Sequence, residues 1–141
     1  MIRVSYGTWY EDLRAFVRAQ APDDRKIDET RTVTCWCGSN AFWVAYDQGR
    51  GAARRVCACG IDHLMLDSAD DWPGARPEWW ECAEGCGCHT ANVGAGFSPL
   101  PANRGVDLAV LGLRCAACGS LTHAGNRRID YEPSTFLLDR L

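Results

Sequence analysis

Nine cysteines in 141 residues carry the chemistry of this sequence, and they fall into short groups. Cys35-x-Cys37-Gly38 and Cys57-x-Cys59-Gly60 share one pattern, Cys115-x-x-Cys118-Gly119 is a longer version, and "CAEGCGC" supplies Cys82, Cys86 and Cys88. Two thiolates separated by one or two residues offer two corners of a tetrahedron, and Zn²⁺ accepts four sulfur ligands without a redox demand. A glycine after the second sulfur lets the backbone turn sharply, as a metal-binding knuckle requires. An odd number of cysteines cannot all pair in disulfides. Metal binding with one thiol to spare is therefore the expected chemistry.

The first site takes Cys35, Cys37, Cys57 and Cys59. The second takes Cys115 and Cys118 plus two of the three cysteines in the 82–88 cluster. Cys86 with Cys88 is the favoured choice, because it copies Cys-x-Cys and because strand phase fixes where a sulfur points. Cys37 stands nine residues before Tyr46, and Cys88 nine before Phe97. Cys82 with Cys86 is the alternative, since Gly87 then follows the second ligand. Sets using Cys82 with Cys88, or His89, are also open. On the favoured choice Cys82 is the spare thiol and the chain holds two zinc ions. His63 and His123 are expected to be ordinary surface or strand histidines.

The elements that position these ligands are mainly β. "TWYEDLRAFVRAQAP" reads as a helix, with Thr8 and Glu11 in capping-box spacing, an apolar stripe of Trp9, Leu13, Phe16 and Val17, and a stop before Pro22. Residues 35–67 read as knuckle, strand "AFWVAY", turn, returning strand, knuckle and a third short strand. Residues 82–131 repeat that order, which points to a degenerate internal duplication. The domains are thus 1–34, helix and a charged connector, "DDRKIDETRTVT", running into a strand rich in Thr and Val; 35–67, first unit; 68–81, a linker rich in Trp and Pro; 82–131, second unit; and 132–141, a C-terminal docking segment.

Knuckle, hairpin, knuckle and third strand together resemble a zinc ribbon, and the whole resembles a tandem pair of them over residues 35–131. The resemblance implies a mainly β fold of two three-stranded antiparallel units behind an N-terminal helix. It implies no activity, because function resides in sites grafted onto such folds.

Both metal sites would be closed by four protein ligands, and the sequence has no nucleophile elbow, phosphate loop or zincin motif, so an enzyme is not expected. No small-molecule substrate is evident. The net charge of −3 becomes about −7 once two Cys₄ sites are loaded, and that balance disfavours sequence-independent duplex binding. No signal peptide or membrane span is expected, and a cysteine-rich chain of this kind is expected in the cytoplasm. A protein partner is the first expectation, with Trp36 in a knuckle and Trp72, Trp79 and Trp80 in the linker as candidate contacts, while Trp9 and Trp43 are expected in the core. Nucleic acid, single-stranded or transcription-associated, is the second, with Arg50, Arg54 and Arg55 on the first hairpin and Arg127 and Arg128 on the second unit as candidate phosphate contacts. A rubredoxin-like iron electron carrier is the third.

Overall fold

The apolar spacing that predicts the helix is realised in α1 (Trp9–Ala19), with Glu11 and Asp12 in its first turn and Arg18 in its last. That charge order suits the helix dipole. The computed structural model describes residues 9–141, and not the side chains of Trp9 and Asn103. Thr8 of the capping box and the Trp9 side chain therefore lie outside the described residues. Leu13 and Val17 are buried and Phe16 is half-buried.

The strands are β1 (Glu29–Thr32), β2 (Trp43–Asp47), β3 (Ala52–Val56), β4 (Asp62–Leu64), β5 (Glu78–Trp79), β6 (Ala91–Pro99), β7 (Val106–Cys115) and β8 (Leu121–Arg128). They form two antiparallel sheets, a larger one in the order β1-β6-β7-β8 and a smaller one in the order β4-β3-β2-β5. Helix, larger sheet and smaller sheet stack as three layers. On β6 and β7 the alternation of side chains divides the two interfaces. Val93, Ala95, Phe97, Leu111 and Leu113 face the smaller sheet with Phe42, Val44 and Ala53, whereas Leu108 and Val110 pack with Val17 and Ile27 under the helix. Glycines make the second interface possible. A Cβ on Gly112 would lie 2.6 Å from Val17 Cγ1, and one on Gly94 2.8 Å from Leu13 Cδ2.

Each sheet has four strands rather than the expected three, because each takes a strand from outside its own hairpin unit. β1 precedes Cys35 yet pairs with β6, placing Thr32 opposite Gly94. β5 precedes Cys82 yet pairs with β2, placing Trp79 opposite Ala45. The two exchanges correspond, since Thr32 and Trp79 each stand three residues before a cysteine. Between the sheets, Phe42 and Ala91 form a reciprocal bridge with N–H···O distances of 2.9 and 2.8 Å. Residues 29–32, where the connector is expected to run into a strand, and 78–79, read as linker, are thus the strands that interlock the two halves.

Two further contacts fasten the layers. The β2–β3 turn lies against β8 so closely that a Cβ on Gly125 would stand 2.6 Å from the Gln48 carbonyl oxygen. Beside it, the buried Arg127 guanidinium pairs with Asp67 and, at 2.9 Å, with Asp71, while Tyr131 Oη donates to Asp67 at 2.7 Å. The C-terminal segment docks through the buried Leu137 and Leu141, and the Leu66 amide donates to the Arg140 carbonyl at 2.6 Å.

Candidate metal centres

Four cysteine turns are built to one plan despite intervals of one, one, three and two residues between their sulfurs. In each, the first cysteine's N–H donates to the carbonyl two residues beyond the second cysteine: Cys35 to Ser39 at 2.7 Å, Cys57 to Ile61 at 2.8 Å, Cys82 to Cys88 at 3.0 Å and Cys115 to Ser120 at 2.8 Å. In each, the second cysteine is followed by a glycine of positive φ, at +91° (Gly38), +98° (Gly60), +81° (Gly87) and +80° (Gly119). Glycine adopts that conformation without the steric penalty of a Cβ.

The turns converge in two groups, Cys35, Cys37, Cys57 and Cys59, and Cys82, Cys86, Cys115 and Cys118, with the four sulfurs of each within 4.8 Å of one another. Across the turns the sulfurs stand 3.5 Å apart in Cys35–Cys59, Cys37–Cys57, Cys82–Cys118 and Cys86–Cys115. A disulfide requires about 2.05 Å, and all nine cysteines are free thiols. Four sulfurs about 2.3 Å from one tetrahedral ion stand about 3.8 Å apart. The donor set and spacing thus fit one metal ion per group, with all four corners filled by protein. In each group the first cysteine of each turn is buried and the others reach the surface.

The first group unites the four residues expected of it. The second corrects the expectation at one position, because Cys82 takes the place assigned to Cys88. The half-buried Cys88 instead donates its S–H to the Thr90 carbonyl at 3.3 Å. The physical reason is strand length. β2 has five residues and β6 nine, so counting ligands back from strand ends carries the difference into the knuckle. Gly87 was the signal to follow. None of the histidines joins either group: His63 bonds the Arg140 carbonyl, His123 bonds Asn126, and His89 is exposed.

The surroundings set the protonation of the sulfurs. The Ser120 hydroxyl, 3.3 Å from Cys82 Sγ, lowers that thiol to about 6. The Cys59 amide does most to lower Cys57 to about 7. Burial pushes the Cys115 thiol up to about 12. A four-thiolate site loaded with a divalent ion carries a net charge of about −2, and an arginine stands near each group. Arg114 is buried, bonds Asn92 Oδ1 at 3.0 Å and lies along the Gly119 turn. Arg55 lies 5.0 Å from the Phe42 ring centroid and bonds the Leu141 carbonyl; burial lowers its guanidinium, and the Cys35 and Cys57 thiolates offset part of that.

The other candidate contacts divide. Trp36 projects from its knuckle at 99% exposed, and Trp79 is 57% exposed. Trp80 is buried and donates from Nε1 to Thr122 Oγ1 at 3.1 Å. Trp72 is half-buried. Trp43, expected in the core, is 40% exposed, because the run from Trp43 to Tyr46 is apolar at every position and gave no phase. The arginines of the first hairpin form no common patch. Arg54 pairs with Asp62, Arg50 lies 3.7 Å from Asp47, and Arg55 turns to the opposite face from Arg54.

Comparison with protein-family models, curated proteins and solved structures found no match. The likeness to zinc-ribbon sites therefore rests on the two four-cysteine groups themselves. Among the described residues, no helix is long and apolar enough to cross a membrane.

Proposed function

We propose that this protein is a non-enzymatic interaction module built on two structural zinc ions, one in each four-cysteine group. The observation that carries the reading is the closure of both groups: four knuckles of one plan supply eight sulfurs and leave no open corner for water or substrate. Zinc suits four thiolates without redox chemistry, whereas iron in the same sites would colour the protein. We read the two halves as diverged copies of one ribbon-like unit that exchange their leading strands, and the reciprocal Phe42–Ala91 bridge between them supports this. Nine free thiols suit a reducing, cytoplasmic setting.

A protein partner is favoured over nucleic acid. Of the five candidate arginines, Arg54 and Arg127 are engaged by carboxylates and Arg55 by a backbone carbonyl, and Arg50 lies 3.7 Å from Asp47, which leaves the exposed Arg128 for phosphates. Exposed tryptophans, by contrast, are what a protein interface uses as anchors. A salt titration against single-stranded oligonucleotides tests the choice. Absence of binding at low salt supports the protein-partner reading, and tight binding with a steep salt slope overturns it.

A further inference from the structure

The two sheets differ in what covers their outer faces. On the larger sheet, α1 lies over Gly94, Gly96 and Gly112. On the smaller sheet, the register puts Trp43, Ala45, Trp79, Arg54, Val56 and Leu64 on the outward side, because directly opposed residues of antiparallel strands share a face. Trp43 and Trp79 stay 40% and 57% exposed there. The two faces are counterparts: Ala45 lies opposite Trp79 as Gly94 lies opposite Thr32, and Gly94 is where Leu13 of the helix packs.

The rim of the open face is acidic. Glu81 and Glu84, which follow Trp79 in the chain, are exposed, against one exposed arginine, Arg76, before it; Glu78, opposite Tyr46, belongs to the other face, and Arg54 is neutralised by Asp62. A ligand for this surface must bring apolar side chains to the tryptophans and positive charge to the rim.

We propose that the outer face of the smaller sheet is the docking site for an amphipathic helix of a protein partner, with an apolar stripe flanked by Lys or Arg. The proposal rests on the interaction-module reading and gives it a place and a partner chemistry. The helix lies on the smaller sheet as α1 lies on the larger, with Trp43 and Trp79 as anchors and the glutamates fixing its orientation and speeding its approach.

The test is selection of helical peptides from a displayed random library on the metal-loaded protein, followed by titration of the synthesised winners. The expected winners carry apolar residues at i, i+3, i+4 and i+7 with flanking Lys or Arg. Their affinity should fall about 30-fold on Trp43→Ser with Trp79→Ser. Glu81→Lys with Glu84→Lys, changes confined to exposed side chains, should slow association and weaken its salt dependence, and a metal count by native mass spectrometry checks that each variant is folded. Winners that are acidic overturn the proposal. So does binding that ignores all four substitutions, though the interaction-module reading survives it. Self-association abolished by Trp79→Ser overturns the proposal in favour of a second copy of this chain. A library that yields no binder overturns the module reading as well.

Discussion

The amide of Cys82 donates to the carbonyl of Cys88 across 3.0 Å, and the sulfur of Cys82 lies 3.5 Å from that of Cys118. Cys88 therefore closes the knuckle through its backbone, in the position held by Ser39, Ile61 and Ser120 in the other three, while Cys82 supplies a sulfur.

Cys88→Ser is accordingly expected to keep two metal ions per chain, because the backbone carbonyl is unchanged. Cys82→Ser is expected to lose one and to lower stability by several kcal/mol, since metal binding at such sites is coupled to folding. Native mass spectrometry with thermal melting checks both. Loss of a metal from the Cys88 variant would return Cys88 to the ligand set.

Acidification should strip both sites, and the sign follows from the thiols. Cys57 and Cys82 ionise at about 7 and about 6, below the ordinary thiol value of 9.0. The stabilisation from their lowered values is full above that ordinary value and is lost as pH falls through the lowered ones. Bound metal displaces the protons that remain, so affinity falls about tenfold per displaced proton for each pH unit. Ser120→Ala removes the hydroxyl that does most to lower Cys82. It should shift release from the second site toward higher pH and leave the first unmoved, which a chelator titration with a metal indicator follows.

The Arg127 side chain is 6% exposed and holds Asp67 and Asp71 together beneath β8. Removing one member of a buried ion network leaves the other charges unpaired, at about 3–5 kcal/mol. Arg127→Met should show a loss of that size in urea unfolding while metal content stays at two.

Gly112 has a different role, because a side chain there would strike the β-branched Val17 rather than a flexible end. Gly112→Ala is expected to cost about 1–3 kcal/mol by overpacking. Val17→Ala in the same chain should recover part of that loss, as a double-mutant cycle by chemical denaturation would report.

Local patterns were legible in the sequence and long-range pairings were not. The stripe of Leu13, Phe16 and Val17 announces α1, and the Cys-x-Cys-Gly pairs announce the first metal centre. β1 shows in sequence only as the Thr- and Val-rich end of the connector, and β5 has two residues, one of them Glu78, so no apolar alternation marks either. Their partners lie on the far hairpin, and only the folded registers reveal the exchange. Gly94, Gly96 and Gly112 weaken a strand when read locally. Their purpose appears only with the helix above them. Cys88 misled because β6 is longer than β2, so alignment on the strands pointed past Gly87, the glycine that ends the knuckle.

On the proposed reading, two metal ions in two closed sets of four thiolates hold the fold. The mass of the purified chain under native and then denaturing acidic conditions tests it most directly. The expected native mass is heavier by two zinc ions and falls in acid to the mass of the chain with all nine thiols reduced. A native mass without metal, or a denatured mass short of hydrogens by the formation of disulfides, would contradict it.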